Sequence, residues 1–183
     1  RALLFLGSPF SLEAVDLLAR LGMRMWKIAS GEIGNLAMLD RIIATGRPVI
    51  LSSGMSDLAE IDTAASRVKA AALPLAVLQC TTAYPCPPER VGLKMLATFR
   101  ERSQSFVGLS DHSGTIYPAL AGAALGMDMA VTVAFLMSVY VTYGFSIEPS
   151  EVGKKLAGIG ELRTLGYAEY GVAGWMTIFA RGA

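Results

Sequence analysis

A short apolar run, a polar or glycine-bearing turn and an amphipathic helix follow one another six times along the chain. Leu3 to Leu6 precede Gly7-Ser8-Pro9-Phe10 and a helix opening at Ser11, whose Leu12, Val15, Leu18 and Leu21 keep helical spacing until Gly22. Met25 to Ile28 lead through Ser30-Gly31-Glu32 to a helix carrying Leu36, Leu39, Ile42 and Ile43, closed by Gly46. Pro48 to Leu51, then Ser52-Ser53-Gly54-Met55, lead to a helix capped by Asp57-x-x-Glu60. Leu75 to Gln79 run into a long loop from Cys80 to Pro88 and a helix near Leu93 to Phe99. Phe106 to Leu109 precede Ser110-Asp111-His112-Ser113-Gly114 and a helix from Tyr117 to Leu125. The sixth run is Met129 to Val133, with its helix after Pro149.

Successive units of this kind require right-handed parallel crossovers. The α/β class then offers a doubly wound sheet or a parallel (β/α)8 TIM-type barrel. Polar residues follow every strand rather than those at one switch point, which favours the barrel, incomplete at about six units. Composition agrees: 53% hydrophobic and 17% charged residues suit strands buried on both faces. The predicted organisation is a partial barrel over residues 1–165 and an unassigned tail over 166–183, where Gly and aromatics mix without a period.

Net charge is +1 and no basic run occurs, so nothing suggests a nucleic-acid partner. Two cysteines, Cys80 and Cys86, are too few for a disulfide scaffold and read as reduced, which predicts a cytoplasmic protein. The chain enters its first strand at once, without an initiator Met or a signal peptide, as expected of a piece of something longer. Met129 to Ile147 is nineteen residues without a charge, enough to span a membrane. Asp128 at its edge, frequent Val and Thr, and the lack of flanking cations argue against that span.

The chemistry-bearing stretch is Lys27-Ile28-Ala29-Ser30-Gly31-Glu32. A strand ending this way offers a cation, a hydroxyl and a carboxylate where α/β sheets and barrels place their sites. Lys27 and Ser30 suit a phosphate or carboxylate. The plainer alternative has Lys27 snorkelling off a strand end and Glu32 capping the next helix.

Six segments, in order and in spacing, resemble the sialic acid synthase (NeuB-type) family. They are Gly7 to Asp16, Lys27 to Ile33, Leu51 to Met55, Cys80 to Pro85, Gly108 to His112, and Ser146-Ile147-Glu148-Pro149. The resemblance implies condensation of phosphoenolpyruvate with N-acetylmannosamine or a related amino sugar, giving a nonulosonic acid and phosphate. It implies that the chain supplies strands three to eight of the family barrel, without the antifreeze-like domain. A catalytic Glu and another phosphate-binding Lys would lie on the two strands before Arg1, so no catalytic residue is assigned here. By the same resemblance Ser8, Lys27, Ser30, Thr82 and Ser110 hold phosphoenolpyruvate, while Glu32 and Tyr84 face the sugar. Glu32 after Gly31 is closer to the sialic and legionaminic branch than to the pseudaminic one. His112 becomes one of two imidazoles on a divalent cation, Mn²⁺ or Mg²⁺, acting as a Lewis acid on the aldehyde, with Asp111 orienting the ring. A homodimer is the assembly implied for full-length members.

The sequence departs from the family at one place. The second metal-binding His falls on Val133, with Thr132 and Ala134 beside it. A Gly-Pro-Asp segment is replaced by Tyr140 to Gly144, and no Asp follows Asp128. Two other functions stay open at this point: a non-catalytic barrel that binds an anionic ligand or a partner, and a barrel making 3-deoxy sugar acids from phosphorylated sugars. The latter needs extra Arg or Lys for a second phosphate, and the strand-end loops offer few.

Overall fold

The computed structural model describes residues 6–134, 165–169 and 172–180. Five strands, β1 (Trp26–Ile28), β2 (Val49–Ser52), β3 (Leu75–Cys80), β4 (Phe106–Asp111) and β5 (Met129–Ala134), pair side by side in sequence order, all parallel. Each crossover carries a helix: α2 (Leu36–Ile43), α3 (Leu58–Ala70), α4 (Met95–Ser103) and α5 (Tyr117–Ala124), with α1 (Leu12–Arg20) ahead of β1. The strand expected at Leu3 to Leu6 lies mostly outside the described residues. Its continuation bridges β1 in parallel at Gly7 and Trp26, and the Lys27 N–H donates to Gly7 O at 3.2 Å. The helix expected after Pro149 also lies outside them.

The tail, unassigned from sequence, supplies two strands. β7 (Val172–Ala180) pairs antiparallel with β5, and β6 (Leu165–Glu169) pairs antiparallel with β7. The sheet order is therefore β1-β2-β3-β4-β5-β7-β6.

Local signals set the helix starts. Ser11 Oγ accepts from Ala14 N, and Asp57 and Glu60 form a reciprocal capping box ahead of α3. Gly108 is required by packing: a Cβ there would collide with the Met129 carbonyl oxygen on the neighbouring strand.

Strand alternation separates two cores. Trp26, Ile28, Val49, Leu51, Leu75, Val77 and Val107 pack with α1 to α4 through Val15, Leu39, Ile42, Ile61, Val68 and Phe99. The opposite face carries a smaller cluster of Leu6, Ile50, Ala76, Leu78 and Val131. Side chains buried on both faces account for the continuous apolar runs in the sequence.

Successive elements on the helical side are also tied by ion pairs: Asp16–Arg41, Asp40–Arg67, Asp62–Arg102 and Arg100–Asp128. All are largely exposed, so each contributes little alone. Among the described residues no helix is long and apolar enough to cross a membrane.

Candidate active site

In-register parallel pairing fixes which strand-end residues share a face. Lys27 is level with Ile50 and Ala76, Ser52 with Leu78 and Gly108, and Cys80 with Ser110 and Val131. These rows carry the residues of the smaller core, so Lys27, Ser52, Cys80 and Ser110 all point away from the helices. His112, two residues beyond Ser110, continues the same face.

Lys27 is buried, and no carboxylate pairs with it among the described residues. Burial pulls its pKa below the ordinary lysine value, opposed only by a nearby negative charge on Cys80. It does not snorkel. Glu32 is not a cap either: Asn35 caps α2, accepting from Met38 N, and donates through Nδ2 to Glu32 Oε2 at 3.1 Å.

The hydroxyls are not helix caps. Ser11, Asn35 and Asp57 take that role at α1, α2 and α3, and no side chain caps α4 or α5. Ser52 Oγ and Ser110 Oγ are buried without a hydrogen-bond partner, as is His112 Nδ1. Donors left this way are costly unless a ligand satisfies them.

Ser30 and Thr82 converge above Gly54. A Cβ on Gly54 would lie 2.7 Å from Thr82 Oγ1, 2.9 Å from Cys80 Sγ and 3.0 Å from Ser30 Oγ. The absent side chain is what lets three strand-end loops close on one point. Ser8 follows Gly7, next to the Lys27 backbone. Tyr84 packs on His112 with ring centroids 4.5 Å apart and is 57% exposed, an amphipathic wall at the mouth. Glu32 stands in the turn after β1, half-buried and held by Asn35.

Cys80 had no role in the sequence reading, yet it is central. Ser30 Oγ donates to its Sγ at 3.4 Å, His112 Nε2 lies 3.5 Å away, and its N–H donates to Ser53 Oγ at 3.3 Å. Burial opposes ionisation of the thiol. The His112 and Ser30 hydrogen bonds, with the imidazole's charge, outweigh it and bring the pKa down to about 6. Ser52, whose Oγ has no hydrogen bond of good geometry, adds a smaller pull. The signal for Cys80 was available, since it ends an apolar strand directly before Thr81-Thr82.

One expectation is corrected. Asp111 does not orient His112: its carboxylate accepts from Ser113 N at 2.9 Å and Ser113 Oγ at 3.0 Å. Neighbouring residues on a strand point to opposite faces, so Asp111 turns toward the helical side. Among the described residues no three His, Cys, Asp or Glu side chains converge, and Val133 stands where the resemblance expects the second metal-binding His.

The NeuB family model matches residues 1–131. The chain belongs to the NeuB family. This NeuB chain is 42% identical over 125 residues to the N,N'-diacetyllegionaminic acid synthase of Campylobacter jejuni, covering 67% of the chain and 37% of that relative. It thus spans well under half of a curated relative's length. The sialic acid synthetase of Leptospira borgpetersenii, solved with citrate, superposes with a TM-score of 0.70 at 29% identity, over 88% of this chain and 60% of that one. A DAHP synthase of Thermotoga maritima, at 15% identity and TM-score 0.61, covers 84% of this chain and 48% of its own, and shares the fold alone. The five parallel strands of the NeuB chain are accordingly a half-barrel of TIM type.

Proposed function

We propose that the chain forms part of a synthase that condenses phosphoenolpyruvate with N-acetylmannosamine or a related amino sugar. In this reading β1 to β5 serve as strands four to eight of the barrel. The observation that carries it is the buried, unpaired Lys27 ammonium on the same face as the partnerless Ser52 and Ser110 hydroxyls. Such a pocket is preorganised for an anion, because its donors stay fixed and dry before the ligand arrives. The relatives' names, among them a legionaminic acid synthase and a sialic acid synthetase, supply the substrate class.

Lys27 pairs with the charged end of phosphoenolpyruvate, and Ser8, Ser30, Ser52, Thr82 and Ser110 donate to its oxygens. Tyr84 gives the sugar an aromatic wall, and Glu32 accepts from its hydroxyls. The enol C3 of phosphoenolpyruvate attacks the sugar's aldehyde carbon, whose oxygen takes up a proton. One water adds at the electron-deficient C2, and the bond from C2 to the phosphate oxygen breaks, releasing inorganic phosphate and the 2-keto acid. Holding the two reactants in contact and in line contributes much of the acceleration. The work of a biosynthetic enzyme in the cytoplasm, acting as a homodimer, suits these substrates.

The test is to incubate the protein with phosphoenolpyruvate and N-acetylmannosamine, following phosphate release and the acidic product by mass spectrometry. Sugar-dependent release of phosphate supports the reading. Phosphoenolpyruvate binding without turnover with any amino sugar tried returns the non-catalytic barrel, and no binding at all overturns both.

A further inference from the structure

We infer that Cys80 is a positioning residue of this site, its sulfur tying the Ser30 hydroxyl to the His112 ring so that anion pocket and imidazole are set as one unit. Ser30 follows β1 and His112 follows β4, two elements that are not neighbours in the sheet. The side chain at the end of β3 reaches both. Ser30 Oγ donates to Sγ at 3.4 Å, and His112 Nε2 lies 3.5 Å from it. Three observations make these contacts more than packing.

First, neither partner has a substitute. Among the described residues the Ser30 hydroxyl makes no other hydrogen bond, and the His112 ring makes none through Nδ1, which is buried and partnerless. Without the sulfur, the tilted contact with Tyr84 would remain, and no hydrogen bond to the ring nitrogens among the described residues would fix its χ2. Second, the sulfur is itself anchored. Its backbone N–H is held by Ser53 Oγ, and Cys80 is 6% exposed. Third, the neighbouring loop makes way for the sulfur: Gly54 carries no side chain, and a Cβ there would lie 2.9 Å from Sγ and 3.0 Å from Ser30 Oγ. Sulfur's long bond and large radius let one atom bridge two groups that a Ser oxygen at the same position would leave further apart. Since the bond at one ring nitrogen sets what the other presents, the Nε2 contact also governs Nδ1.

The inference rests on the proposed synthase reading only where phosphoenolpyruvate enters, so the experiment has two arms. In the first, the protein is labelled with ¹⁵N-histidine and the His112 signals are assigned by their loss in His112→Gln. No ligand is needed. Cys80→Ala should move both ring nitrogens toward the values of a freely exchanging imidazole, and Cys80→Ser, the variant retained should Ala fail to fold, should move them part of the way. In the second arm, calorimetry measures phosphoenolpyruvate affinity. Cys80→Ala should weaken it roughly three- to tenfold, the value of one hydrogen bond. Ser30→Ala should cost less in the Cys80→Ala background than in the parent, because the two act through one contact. His112 signals that stay put in both Cys80 variants, or losses that multiply without coupling, overturn the inference. If the parent protein fails to bind phosphoenolpyruvate, the synthase reading falls and the ring signals alone decide the role of Cys80.

Discussion

Lys27 and Ile50 are register partners on adjacent parallel strands, which sets a lysine ammonium beside an aliphatic wall of Ile50, Ala76 and Leu78. The arrangement strains the free protein and serves the bound one. Replacing Lys27 with Met, of similar length and apolar, should stabilise the ligand-free protein by about 1–2 kcal/mol. The same change should weaken phosphoenolpyruvate binding by about 1.5–3 kcal/mol, as for a hydrogen bond to a charged group. Urea denaturation and calorimetry on the two proteins check both signs. A variant that is less stable and still binds would make Lys27 a structural residue.

The depressed Lys27 pKa also sets a pH dependence. Below its folded pKa both folded and unfolded chains carry the proton, and the folded state bears the whole cost of the buried charge. Between that pKa and the ordinary value of 10.5 the folded chain gives up a proton that the unfolded chain keeps. Stability should therefore rise with pH across that window, relative to Lys27→Met, while anion affinity falls. Denaturation midpoints of the two proteins, measured in parallel from neutral pH upward, test the slope.

Gly54→Ala isolates the crowding over the site. The new methyl group would meet Thr82 Oγ1 at 2.7 Å and Cys80 Sγ at 2.9 Å. Two hydrogen-bonding side chains must then move, at about 1–3 kcal/mol of stability. Phosphoenolpyruvate affinity should fall alongside, and crystallography of the variant should find Thr82 or Ser30 displaced. A variant with parent-like stability and affinity would mean that the three loops do not close on one point.

Much of this was legible beforehand because each unit carried its signals in the chain. The apolar run Leu75 to Gln79 became β3 (Leu75–Cys80), and the Asp57-x-x-Glu60 pattern became a reciprocal cap. Lys27 was singled out by type and place, although only the sheet register could tell that it faces the aliphatic interior. Asp111 was misread because a motif written in a line hides strand alternation: adjacent residues in Asp111-His112 serve opposite faces. Cys80 and Ser52 were quoted within motifs but given no role. Their importance lies in contacts to Ser30 and His112, 50 and 32 residues from Cys80, and in a hydroxyl left without a partner. The hairpin of β6 and β7 had no clean alternation to announce it. Its position is set by pairing with β5.

Asp128 offers a contrast with the other surface carboxylates. Its Oδ2 accepts from Val107 N at 2.8 Å and from Arg100 at 3.0 Å, clamping the entry to β4. Asp128→Ala leaves a strand-end N–H unsatisfied and should cost about 1–3 kcal/mol. Asp40→Ala, which breaks only the exposed pair with Arg67, should cost under about 1 kcal/mol and lose its effect in high salt. Equal losses in denaturant titrations would overturn the distinction.

The final prediction concerns residues 129–145. The family model matches through residue 131, and the span it matches contains the residues that the resemblance assigns to the site, Ser8, Lys27, Ser30, Glu32, Ser110 and His112. Gradual decay would scatter substitutions over every strand end, whereas here the departure is an uncharged run ending at Ser146-Ile147-Glu148-Pro149, the last of the segments that carry the resemblance. A pair of compensating reading-frame shifts produces that kind of boundary, replacing a segment while restoring the frame downstream. Translating the underlying gene in its other frames across this stretch should then recover a His at the Val133 position and a Gly-Pro-Asp. The chain as it stands should bind Mn²⁺ weakly in calorimetry, since His112 has no second imidazole, and the restored chain should bind it more tightly, because a second imidazole brings the donor set closer to the usual count. If no other frame yields those motifs, the substitution is genuine divergence, and the non-catalytic barrel becomes the better account of this chain.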